Sequence, residues 1–168
     1  MRELRRIRRR CEALLRTLDV PRPLDVHQLC AQVARLRGRP IHLLPTAFPD
    51  GTVCGLWIAS DSADYLAYEQ DTSAIHQEHI LLHELGHLLC GHDGDDIGTG
   101  LFPTLEPATV RRMLARTNYS TAQELEAELL ASLIRSRSAA PLPPGPEVES
   151  GTVGERIRRA VSHGEPGE

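Results

Sequence analysis

The sequence predicts an α+β protein in which helices flank a small antiparallel sheet of three strands. Three observations carry that expectation. Apolar residues recur every three or four positions near both ends of the chain. Between residues 40 and 70 the pattern changes to short apolar or alternating runs, and clusters of Pro, Gly, Asp and Ser separate those runs.

Taken in order, Leu4, Ile7, Cys11, Leu14, Leu15 and Leu18 fall on one side of a first helix. Arg2, Arg5, Arg6, Arg9 and Arg16 fall on the other, and Pro21 and Pro23 end it. A second helix starts at Asp25 as N-cap, buries Leu29, Cys30, Val33 and Leu36, and stops at Gly38. "PIHLLPT" (40–46), "TVCGLWIAS" (52–60) and "DYLAYEQ" (64–70) read as the three strands, with Trp57 in the core. "DTS" (71–73) caps a third helix that runs to Cys90 and closes at Gly91. Residues 93–106 form a glycine-rich loop, and Pro107 opens a short helix through Arg116. Ser120 or Thr121 caps a strong last helix, "STAQELEAELLASLIRS". One domain over 1–138 is expected, followed by a disordered Pro/Gly-rich tail over 139–168.

Composition narrows the function classes. The chain has 168 residues, 40% of them apolar, and a net charge of -4, as in a globular domain. All 19 basic residues are arginine, a bias better explained by GC-rich codons than by chemistry. Aromatics make up only 4%, which argues against a base-stacking surface. Eleven arginines lie within the first 40 residues, and their face is expected to be solvated or to meet a protein rather than nucleic acid or acidic lipid. Cys11, Cys30, Cys54 and Cys90 form no CxxC pair, so reduced thiols in a cytoplasmic protein are expected. No transmembrane segment is expected.

Within the third helix stands "HILLHELGHLLCGH" (79–92). His83 and His87, four apart, project from one helical face with Cβ atoms about 5–6 Å apart. Two such imidazoles can hold one Zn²⁺, and Glu84 beside them can take a proton from water that the ion acidifies. The competing reading is two satisfied core histidines, but these interrupt the apolar stripe Ile80, Leu85, Leu88 and Leu89, where unpartnered imidazoles are costly to desolvate.

A catalytic zinc site needs a third protein ligand. The pattern with a glycine three and a histidine six residues after His87 fails, because Cys90 and Asp93 occupy those positions. Gly91-His92 reads instead as a helix C-cap followed by a histidine at the negative end. In the last helix the apolar arc is Ala122, Leu125, Leu129, Leu130 and Leu133. Glu126 lies within that arc, with Glu124 and Glu128 on the far side, so Glu126 is the expected third ligand.

"HELGHLLCGH" followed some 40 residues later by "ELEAELLASL" resembles the ImmA/IrrE family of bacterial metallo-endopeptidases. The resemblance covers roughly residues 24 to 134. It implies a minimal zincin-like fold, with the sheet packed on the HExxH helix and on a Glu-bearing C-terminal helix. It also implies a zinc endopeptidase with His83, His87 and Glu126 as ligands and Glu84 as catalytic base. The implied substrate is a specific intracellular protein, often a helix-turn-helix regulator encoded nearby; other members are toxin–antitoxin components, so a non-catalytic metal-binding sensor or binding partner is the alternative. Glu128 and Leu130 stand where the family often has Asn and Phe, and "LIRSR" replaces its usual "LLMP". Tyr68, Asn118 and Tyr119 are candidates to stabilise an oxyanion, with no choice among them. His76 and His79 read as solvated histidines, and Cys90 as a buried thiol.

Overall fold

The computed structural model of the chain describes residues 2–48, 53–60, 62–92, 95–96, 112–115 and 119–139. It is an α+β structure with four helices: α1 (Arg2–Thr17), α2 (Val26–Arg37), α3 (Ala74–Cys90) and α4 (Thr121–Ser138). The main strands are β1 (Ile41–Thr46), β2 (Gly55–Ala59) and β3 (Asp64–Glu69); β4 (Asp95–Asp96) and β5 (Arg112–Ala115) extend the sheet. Asn118, the residues flanking β4 in the expected 93–106 loop, and the expected tail beyond residue 139 lie outside the described residues. Where a helix was expected from Pro107 to Arg116, residues 112–115 are strand, paired antiparallel with β2 and β4.

The sheet is mixed rather than antiparallel. Its order is β1-β3-β2-β5-β4, with β1 parallel to β3 and β2 antiparallel to β3. The first three strands do alternate in direction along the chain, as expected, but β3 returns between β1 and β2 instead of adding outside β2. Buried charge fixes that order. Asp64, at the start of β3, is 1% exposed and accepts from Arg39, just beyond the Gly38 cap, at 2.9 Å and from Arg37, the last residue of α2, at 3.3 Å. The Trp57 indole donates to the other oxygen of Asp64 at 3.1 Å. The α2–β1 corner therefore holds the head of β3, and the Asp64 amide donates to the Pro40 carbonyl at 2.9 Å. The short Ser60–Ala63 return, closed through the Ser60 hydroxyl, then brings β3 back against β2.

Helix ends follow their local signals. The Asp25, Ser73 and Ser120 side chains accept from the amides of Gln28, His76 and Gln123, and Gln123 completes a capping box. Gly38 and Gly91 close α2 and α3 in the left-handed conformation. The main core lies between the four helices and one sheet face and includes Ile7, Leu29, Val33, Trp57, Leu66, Leu82, Leu85, Leu130 and Ile134. On the opposite sheet face Leu56, Ile58 and Ala67 form a smaller cluster. Three apolar expectations differ from the structure: Leu4 (56%), Leu36 (63%) and Leu125 (42%) are exposed.

Two glycines set how closely α3 packs. A Cβ on Gly86 would lie 2.9 Å from the Ala127 carbonyl oxygen and 3.1 Å from its Cα, so α3 and α4 touch backbone to backbone. A Cβ on Gly55 would lie 2.7 Å from a Glu84 oxygen, so β2 begins directly over that carboxylate. Among the described residues, no helix is long and apolar enough to cross a membrane.

Candidate metal centre

The Gly86–Ala127 contact decides which side of α4 faces α3. Along α4 the buried residues are Glu126, Ala127, Leu130, Ala131, Ile134 and Ser138. With 100° per residue, Glu124 and Glu126 sit about 160° apart round the axis and flank that face on opposite edges. Their surroundings differ accordingly.

Glu124 meets the HExxH helix. The Nε2 atoms of His83 and His87 are 2.9 Å apart, and Glu124 lies 3.3 Å from the first and 3.8 Å from the second. One ligand atom from each of these three residues fits within 4.8 Å of the others. A tetrahedral ion about 2.0–2.1 Å from each ligand would separate them by about 3.3 Å, so the spacing suits zinc. Imidazole and carboxylate donors suit it as well. Both histidines are buried, and Glu124 is about one-third exposed at 35%.

The far nitrogens of the two rings are anchored. His83 Nδ1 lies 3.3 Å from Glu128, whose carboxylate is also 3.5 Å from His79. His87 Nδ1 lies 2.9 Å from His92 Nδ1, and His92 Nε2 lies 3.0 Å from Glu126. A carboxylate only accepts, and one lies 3.3 Å from each ring nitrogen of His83, Glu128 at Nδ1 and Glu124 at Nε2. Such outer contacts orient metal-ligating histidines.

Glu126, the carboxylate expected at the metal, makes its contacts elsewhere. It is buried against His92, and Arg10 of α1 approaches it at 3.2 Å. Arg10 also donates to the Cys90 carbonyl at 2.6 Å, so α1 closes this side. Burial pushes the Cys90 thiol up to about 12, reinforced by the nearby Glu126 and Cys11, so it is protonated at neutral pH. Cys90, His92 and Glu126 also bring donor atoms within 4.8 Å of one another.

Glu84 is fully buried beneath the start of β2. Tyr119 lies against the site: its ring stacks on His87 with centroids 3.9 Å apart and 14° between planes. Tyr68 packs against the main core. His76 is exposed and bonded to Thr72 at 2.9 Å. Sequence reasoning read His92 only as a histidine after a helix C-cap, put Glu124 on the far side of its helix, and passed over Arg10. The His92 signal was local, because the left-handed Gly91 returns the chain and the His92 amide donates to the His87 carbonyl at 3.1 Å. Arg10 reaches Glu126 across 116 residues of sequence, and no local pattern marks that contact. No protein-family model, curated protein or solved structure matches this chain.

Proposed function

We propose that the chain is a zinc-dependent endopeptidase that holds its ion between His83, His87 and Glu124. The observation that carries this is the convergence of two buried imidazole Nε2 atoms and one carboxylate, with an outer partner on each imidazole Nδ1. Acceptor groups gathered this closely are stabilised by a cation among them. Zinc, when bound, supplies Lewis acidity that acidifies water and polarises a peptide carbonyl. Glu84, next to His83 in sequence, takes the proton from the attacking water and delivers it to the leaving amine. Tyr119 keeps one face of His87 dry and, of the three oxyanion candidates, lies against the histidine pair. The motif resemblance to the ImmA/IrrE proteins supports a specific intracellular protein as substrate, a helix-turn-helix regulator first among them.

A second reading is a metal-holding sensor or toxin–antitoxin component that acts by binding. The complete burial of Glu84 favours it, since a general base must meet water. One experiment decides between them. Protein purified without added metal is expected to carry one zinc per chain, and Glu124→Ala is expected to lose it. Glu84→Gln is expected to keep the zinc and any partner while cleavage of a neighbouring-gene regulator falls by about 10²–10⁴-fold. Wild type and Glu84→Gln that bind the partner equally and leave it uncut would establish the sensor reading. Full zinc retention by Glu124→Ala would remove the site itself.

A further inference from the structure

We infer that the outward face of α1 is a docking surface for an acidic helix of a partner protein. Arg2, Arg5, Arg6, Arg9 and Arg16 build that surface, and the inference does not depend on the metal centre.

The five arginines form one stripe. At about 100° per residue, positions 2, 5, 6, 9, 13 and 16 share an arc of about 100° round the helix axis. Five of these positions are arginine and the other is Ala13, and all of them are exposed. At a rise of about 1.5 Å per residue the stripe is about 21 Å long. It lies opposite the face that α1 buries through Ile7 and Cys11, where Leu14 and Leu15 also pack on the main core. GC-rich codons favour arginine over lysine, but they do not sort arginines onto one face.

The edges of the stripe are engaged and the stripe itself is not. Arg8 on one edge pairs with Glu12 at 2.8 Å, and Arg10 on the other turns inward to Glu126 and the Cys90 carbonyl. None of the five stripe arginines makes a hydrogen bond or ion pair to another described residue. Like charges three or four residues apart destabilise a helix, and positions 2, 5, 6 and 9 are spaced in that way. The face therefore carries a repulsion that an anionic partner relieves. Helix α1 is also held in place by α4: Cys11 Sγ donates to the Glu126 carbonyl at 3.5 Å, and Arg137 donates to the Leu15 carbonyl at 2.9 Å. A docked helix presents its side chains without first having to order its backbone.

The rest of the molecule selects the kind of anion. Helix α1 carries a net charge of +5 and the whole chain -4, so the remaining residues sum to -9. A nucleic-acid duplex is charged along its whole length and would run past the stripe onto that negative body. A helix that lies on a membrane inserts its apolar face among the lipids, and that face of α1 is already in the core. A short acidic helix meets neither obstacle. Its carboxylates, three or four residues apart, repeat at the same axial spacing of about 4.5–6 Å as the arginines. Each can accept the paired N–H donors of one guanidinium.

The probe is a fluorescein-labelled synthetic helical peptide with glutamate at every third or fourth position along one face, titrated with the full chain in fluorescence anisotropy. The control peptide has glutamine at those positions. The chain should bind the glutamate peptide and not the control, and more weakly as salt rises. Arg2→Gln/Arg5→Gln/Arg9→Gln should bind about tenfold more weakly. Its circular dichroism should be unchanged and its unfolding midpoint equal or raised, because like-charge repulsion is relieved. Ala13→Arg fills the gap in the stripe and should tighten binding about two- to fivefold, a gain that a merely structural helix does not predict. Failure of the wild type to bind the glutamate peptide, equal affinity for both peptides, or no loss in the triple variant would overturn the inference. So would tighter binding of a DNA duplex, or of phosphatidylserine vesicles, than of the glutamate peptide at physiological ionic strength. Self-association of the wild type in sedimentation velocity, abolished in the triple variant, would assign the stripe to a second copy instead.

Discussion

Replacing Gly86 by alanine tests the contact that aligns the site. In an exposed helix interior this change stabilises by about 1 kcal/mol, because glycine loses more backbone entropy. Here the added methyl would lie 2.9 Å from the Ala127 carbonyl oxygen and 3.1 Å from its Cα. Carbon and carbonyl oxygen approach to about 3.3–3.6 Å at closest, so the helices must part by roughly 0.4–0.7 Å. Both obstructing atoms are backbone and cannot swing aside. Overpacking of this kind costs about 1–3 kcal/mol, which outweighs the propensity gain by up to about 2 kcal/mol. Thermal unfolding followed by circular dichroism should therefore show a midpoint lowered by several degrees, at about 2–4 °C per kcal/mol. The site should respond more strongly. Glu124 lies one turn before Ala127, and ligand distances must hold to about 0.2 Å. A shift of half an ångström should weaken Zn²⁺ binding at least about tenfold in chelator competition. A raised midpoint together with unchanged zinc affinity would refute the claim that Gly86 sets the α3–α4 distance.

Two further predictions concern groups away from the site. Asp64→Asn should destabilise the fold by about 2–3 kcal/mol in urea titrations; this is below the usual cost of about 3–5 kcal/mol for breaking a buried pair, because Arg37 and Arg39 are partly exposed. A change below about 0.5 kcal/mol would contradict the role given to Asp64 in ordering the strands. Burial lifts the thiols of Cys11 to about 11 and of Cys30 and Cys90 to about 12, from an ordinary 9.0. Iodoacetamide at pH 8 should label the half-buried Cys54 first, and the other three only after unfolding. Raised values also mean that the folded chain keeps protons that the unfolded chain releases. The stability linked to these thiols is full below pH 9 and should be lost as pH rises through 11 to 12. Equal labelling of all four cysteines in the folded chain would contradict this.

Local signals in the sequence translated well into structure. Asp25, Ser73, Ser120, Gly38 and Gly91 sit at helix ends because capping involves only neighbouring residues. The His83–His87 pair was legible for the same reason, since four-residue spacing alone puts both rings on one face. Strand order was not, because it depends on arginines at 37 and 39 meeting an aspartate at 64. That Glu124, rather than Glu126, meets His83 and His87 was hidden in another way. Helix α4 is apolar on more than one side, and Leu125, which anchored the expected arc, faces solvent. What orients α4 is Ala127 against Gly86, a fact about two helices rather than one. Cys90 was expected to be a buried thiol and is one, whereas His92 meets His87 and Glu126, contacts its position after a C-cap did not suggest.

The bond from Arg10 to Glu126 has a consequence for how this molecule comes to exist. Its partners are 116 residues apart in sequence, His83 and Glu128 are 45 apart, and His92 and Glu126 are 34 apart. Closing such loops costs entropy that local helix formation never meets, so the HExxH helix can form long before its surroundings do. The cluster exists only when the first helix, the third and the last have all docked. An ion that binds this assembled cluster and not the open chain contributes its binding free energy to folding as a whole. The amino-terminal helix, which ends more than sixty residues ahead of the nearest histidine of the pair, is then as much a part of that equilibrium as any group that holds the ion.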